Sequence, residues 1–128
     1  MKAHIAKLPP PTALAWNVPA GGLETVCARA AVRLRRVEPR ELGQTVGELC
    51  GLPGAPKGHG EGAADDMPAL VLWGLEGDEL DAFLGLLREA RVSIPLKAVV
   101  TDTNKAWPFG ALLKELAAER REMEQGQK

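Results

Sequence analysis

Leu96-Lys97-Ala98-Val99-Val100-Thr101-Asp102-Thr103-Asn104-Lys105-Ala106-Trp107-Pro108 carries an apolar, β-prone run into hydroxyls and an amide and then restarts behind a proline. β-Branched Val99 and Val100 favour a strand, and Thr101 to Asn104 read as a loop. Pro108, with its fixed φ and missing N–H, suits a first helical position. The stretch therefore predicts strand, loop and helix start. In open α/β sheets ligands collect beyond the carboxyl ends of strands, where helix N-termini present unpaired N–H groups, so Thr101 to Trp107 is the natural place to look for a binding edge.

The same succession of elements runs through the rest of the chain. Behind Pro9-Pro10-Pro11, Thr12 to Val18 reads as a short apolar strand. Leu23, Val26, Cys27, Ala30 and Ala31 then recur at the spacing of one helical face. Val32 to Val37 alternates with a period near two and predicts a second strand, closed by Glu38-Pro39 because a residue before proline is pushed to extended geometry. Leu42, Val46, Leu49 and Cys50 line a short helix ended by Gly51. Residues 52–67 are too rich in Gly and Pro for regular structure and read as an exposed, flexible segment. Beyond Pro68, Ala69 to Trp73 predicts a third strand. Leu80, Phe83, Leu84 and Leu87 predict a helix capped at Gly77 or Asp78, and Phe109, Leu112, Leu113 and Leu116 line the last helix. The tail 121–128 has no apolar stripe to bury and is expected to fray.

One constant shift along the chain takes Trp16 to Trp73, Leu23 to Leu80, Val26 to Phe83, Cys27 to Leu84 and Ala30 to Leu87; a slightly longer one takes Leu34 to Leu96, Arg35 to Lys97 and Val37 to Val99. The pattern reads as an internal duplication of a βαβα unit, residues 9–51 and 68–120. Right-handed βαβ crossovers in both halves, related by a two-fold, predict one two-layer α/β domain with a four-stranded sheet ordered 2-1-3-4. In that arrangement Arg33, Arg35 and Lys97 share one open basic face, while Leu34, Ala98 and Val100 turn to the helices.

With 128 residues and 45% hydrophobic content, the chain can bury one core without metal or disulfide staples. A net charge of −1 implies no bulk attraction to nucleic acid or anionic membrane. The half up to Ala64 holds eight basic and five acidic side chains, the half from Asp65 onward eight and twelve. The start lacks the apolar core of a signal peptide, and no run is long enough to span a bilayer, so the sequence predicts a cytoplasmic protein. Cys27 and Cys50 stand well apart in the chain with no Cys-x-x-Cys pattern, and read as buried free thiols rather than ligands.

Lys97-Ala98-x-x-Thr101-x-Thr103-Asn104-x-x-Trp107 resembles the signature of a small bacterial family catalogued as a domain of unknown function. Upstream, Arg33 to Val37 and Gly43-Gln44-Thr45-Val46-Gly47-Glu48-Leu49-Cys50-Gly51 resemble that family's arginine-containing strand and glycine turn segment. The resemblance implies no activity, because none is attached to the family.

Function must then be read from the residues. Thr101, Thr103 and Asn104 offer hydroxyl and amide partners, Lys105 a cation and Trp107 an aromatic wall. Lys97 is expected beneath them, and Arg40 and Gln44 occupy the corresponding turn of the first half. The two threonines at i and i+2 predict hydroxyls converging on one acceptor, so an anionic or richly hydrogen-bonding small molecule is the expected ligand. The bland alternative is that Thr101 and Asn104 cap the following turn and Trp107 plugs the core. His4 and His59 have no predicted partner, and Asp65-Asp66 and Asp78-Glu79 lack the spacing of a cation loop, so neither a metal nor a cofactor is indicated. These features point to a binding or regulatory module rather than an enzyme. Two alternatives remain: an enzyme completed at a subunit interface, with Asp102 as base and Lys105 or Arg40 as charge stabiliser, and nucleic-acid binding on the basic face. Open sheet edges also predict a homodimer.

Overall fold

The computed structural model describes residues 8–58, 62–64 and 66–126. The chain runs β1 (Thr12–Trp16), α1 (Gly22–Arg29), β2 (Arg33–Arg36), α2 (Val46–Cys50), β3 (Ala69–Trp73), α3 (Asp78–Glu89), β4 (Leu96–Val99) and α4 (Phe109–Gly126). Single 3₁₀ turns at Pro39–Glu41 and Asn104–Ala106 precede α2 and α4. The strands form one mixed sheet in the order β2-β1-β3-β4, parallel in the outer pairs and antiparallel in the centre. The α/β class and the strand order are those expected.

Successive side chains of a strand leave on opposite sides, and both sides of the central strands are buried. Ala13, Ala15, Leu70 and Leu72 pack against Leu23, Val26 and Cys27 of α1 and Phe83 and Leu87 of α3. Leu14, Trp16, Ala69 and Val71 pack against Val46, Leu49 and Cys50 of α2 and Phe109, Leu112 and Leu113 of α4. The molecule therefore has three layers, and the expected two-layer arrangement with an open face is corrected. The physical reason is visible in β1 and β3: Ala13-Leu14-Ala15-Trp16 and Ala69-Leu70-Val71-Leu72-Trp73 are continuous apolar runs, the mark of strands covered on both faces.

Register corrects the basic face as well. Leu14 lies opposite Val71, a pair related by the same shift that takes Trp16 to Trp73. Thr12 pairs with Arg33 and Ala69 with Leu96, so the counterpart of Leu96 is Arg33 and not Leu34, the residue that the sequence pattern aligned with it. A slip of one position turns every side chain of a strand to the other face. Lys97, paired with Leu70, projects to the α1/α3 side, whereas Arg35, paired with Leu14, projects to the α2 side with Arg33. Leu34 faces α1, but Val100 packs in the α2/α4 layer.

The chain leaving β2 and the chain leaving β4 cross that layer and meet. Val46 N donates to Trp107 O at 2.9 Å, Phe109 N to Gln44 O at 2.8 Å and Gly110 N to Leu42 O at 2.9 Å, closing an antiparallel bridge between Thr45 and Pro108. Glycine is required at this crossing: a Cβ on Gly110 would stand 2.6 Å from the Ala63 carbonyl oxygen. Pro108 thus sits just before α4 rather than as its first residue. At the other end, α4 runs to Gly126. Arg120 bonds the Pro95 carbonyl and pairs with Glu124 one turn on.

Cys27 and Cys50 are free and buried in opposite layers, and burial pushes both thiols up to about 11. Both should resist a thiol reagent at pH 8 until denaturant is added. The folded values lie above those of the unfolded chain, so this contribution to stability is complete below the unfolded pKa and is lost as pH rises towards the folded one. Thermal melts should therefore fall between about pH 9 and pH 11. Cys27→Ala with Cys50→Ala should flatten that decline.

Candidate functional site

Beyond Val99 the backbone turns over a staple made by one side chain. Asn104 Nδ2 donates to Val99 O at 3.0 Å, Asn104 Oδ1 accepts from Thr101 N at 2.9 Å, and Thr101 Oγ1 accepts from Asn104 N at 3.0 Å. This reciprocal pairing satisfies Val99 O, Thr101 N and Asn104 N as the chain leaves the strand. Thr103 is exposed and forms no side-chain cap. Trp107 is half-buried against the α2/α4 layer and acts as a plug.

The other expected members of the site are dispersed. Lys97 lies on the opposite side of the sheet, its ammonium 2.9 Å from the Ile94 carbonyl oxygen, and β4 is an edge strand rather than a central one. Arg40 is exposed and paired with Glu38 at 2.9 Å. Gln44 reaches the junction through its backbone carbonyl. Arg33 and Arg35 are engaged by the carboxyl end of α2: Arg33 Nη2 lies 2.8 Å from Cys50 O, and Arg35 reaches Leu49 O and, at 2.7 Å, Glu41. The Glu38 backbone N–H, with Arg35 beside it, holds the Glu41 carboxyl below its usual range. These arginines compensate orphan carbonyls and a helix dipole at the end of α2.

Thr101 and Lys105 do come together, on the rim of a cleft of about 220 Å³. Leu52, Pro53 and Ala55 form one wall, Trp73 and Val100 the floor, and Thr101, Asp102 and Lys105 the other wall. Asp102 is fully exposed and its carboxylate stands 3.2 Å from the Lys105 ammonium. The apolar wall comes from the Gly/Pro-rich segment, which sequence reasoning set aside. Thr45 holds it in place: its hydroxyl donates to Pro56 O at 2.6 Å and accepts from Glu48 N at 3.1 Å, while Glu48 Oε1 accepts from Gly58 N at 3.0 Å. The signal that could have found it is the capping box Thr45-x-x-Glu48 followed by Leu52-Pro53.

Among the described residues no group of three His, Cys, Asp or Glu side chains could hold a metal ion, and no described helix is long and apolar enough to cross a membrane. His4, His59 and Asp65 lie outside the described residues.

The fold and the cleft define a small three-layer α/β domain with a rim of mixed polarity at the end of its edge strand. Residues 68–123, from β3 into α4, match the model of a family described as Domain of unknown function (DUF3783). No curated protein and no solved structure matches the chain.

Proposed function

We propose that the chain is a binding module for an organic anion with an apolar body, seated between the 52–56 segment and the Val100 to Lys105 turn. The observation that carries this reading is the composition of the cleft, an apolar floor of Trp73 and Val100 beneath a single ammonium. The Lys105–Asp102 pair is solvated at the surface, where such pairs contribute little, so an incoming carboxylate or phosphate can replace Asp102. Thr101 accepts a hydrogen bond from Asn104 and keeps its own proton to donate. We infer in addition that the two halves are copies of one unit. Supporting this, the single offset in numbering that takes Arg33 of β2 to Leu96 of β4 also takes Thr45 to Pro108, the two residues of the bridge.

A thermal-shift and tryptophan-fluorescence screen of aliphatic and aromatic carboxylates and phosphates tests the site. A hit should perturb Trp73 emission, and Lys105→Gln should weaken it roughly tenfold, the scale of one charge-assisted hydrogen bond. A hit that shifts wild type and Lys105→Gln equally would remove this cleft as the seat. Turnover of the compound by wild type that is abolished in Asp102→Ala would replace a binding module with an enzyme.

A further inference from the structure

The two edges of the sheet are unlike. β2 is guarded by Arg33, Arg35 and Arg36, with Arg33 tied to α2, Arg35 to α2 and Glu41, and Arg36 to Glu24 and Val18 O. β4 carries Leu96-Lys97-Ala98-Val99, and its one cation is folded back onto Ile94 O. Leu96 N bonds to Pro68 O, just ahead of β3, at 3.2 Å and Val100 N to Leu72 O of β3 at 2.8 Å, so the alternate residues Lys97 and Val99 direct their N–H and C=O groups away from the sheet. Val99 O already accepts from Asn104 Nδ2 and retains a second lone pair. Val99 is 40% exposed and Met123 is 65% exposed, and both lie along this edge. The edge is flanked by a groove on each side of the sheet: one of about 270 Å³ with Leu80 and Leu84 of α3, the other of about 390 Å³ with Leu116 and Met123 of α4.

We propose that this edge pairs with the same edge of a second copy, joining two four-stranded sheets into one across a two-fold axis at Ala98. In that register Lys97 and the partner's Val99 exchange both backbone hydrogen bonds, as do Val99 and the partner's Lys97. The two Ala98 residues form the close, non-hydrogen-bonded pair that small side chains permit. Charge selects a second copy as the occupant. As the crossover between parallel strands, α3 runs opposite to β4, so its acidic first turn, Asp78, Glu79 and Asp81, stands near Val99. Its other end, where Arg88 and Arg91 flank Glu89 and leave a net positive charge, stands near Leu96. Antiparallel pairing sets the acidic end of each α3 beside the basic end and Lys97 of the other. Asp81 and Arg88 lie on the stripe of α3 adjoining Leu80 and Leu84, which faces the groove. With the β2 edge guarded, the contact closes as an isologous dimer and does not propagate.

Sedimentation of the full chain at micromolar concentrations and above tests the assignment. The wild type should run at twice 13.7 kDa, and Val99→Lys should run as a monomer with unchanged near-ultraviolet dichroism, because the side chain is exposed in the single chain. Asp81→Arg and Arg88→Asp should each weaken dimerisation at least tenfold, and the two changes in one chain should restore it. A wild type that stays monomeric, a Val99→Lys dimer as tight as wild type, or a double variant with no recovery would overturn the proposal.

Discussion

Replacing Phe83 with alanine should lower the unfolding free energy by about 3–5 kcal/mol, and Phe109→Ala should cost a similar amount, the range for a fully buried aromatic truncated to a methyl group. Phe83 packs in the α1/α3 layer and Phe109 in the α2/α4 layer, and both are sealed from solvent. Urea unfolding followed by far-ultraviolet dichroism measures both. A two-layer sheet would show one large loss and one small one, because a phenylalanine on an uncovered face buries little. Comparable losses require a core on each side of β1 and β3. The two sites are separated by the sheet, so the double variant should show near-additive losses unless it no longer folds.

Thr45→Val keeps the shape of a residue only 3% exposed but deletes its hydroxyl. The expected loss is roughly 2–3 kcal/mol, combining a missing N-cap with acceptors and donors left without a partner. The consequence extends beyond α2. Pro56 O loses its donor, and the Leu52 to Pro56 wall is released from the helix start. Hydrogen exchange should accelerate at Gly58 and Ala55, and any compound bound in the cleft should lose affinity in Thr45→Val, although Thr45 does not line it. Unchanged exchange in that segment would mean that Glu48, through Gly58 N, is a sufficient anchor by itself.

Much of this molecule is legible in local pattern. Glu38-Pro39 closes the second strand, Gly51 takes the left-handed conformation at φ 82° that ends α2, and the Leu23-Val26-Cys27 stripe faces the core as its spacing predicts. Order 2-1-3-4 also follows from sequence, because handed crossovers and a two-fold leave few other arrangements. At the turn after β4, Thr101 and Asn104 are caps, a role that local chemistry specified. What depended on tertiary structure is which side of the sheet each element meets. α2 and α4 are amphipathic whichever face they cover, so their periodicity carries no information about the layer. Lys97 changes face on a register difference of a single position, set by pairing with β3 rather than by anything within β4. The cleft, likewise, needs Leu52 and Val100, which belong to opposite halves of the chain, to be brought together by the bridge at Thr45 and Pro108. Period and capping are properties of neighbours along the chain, whereas face and cavity arise from hydrogen bonds between segments distant in it.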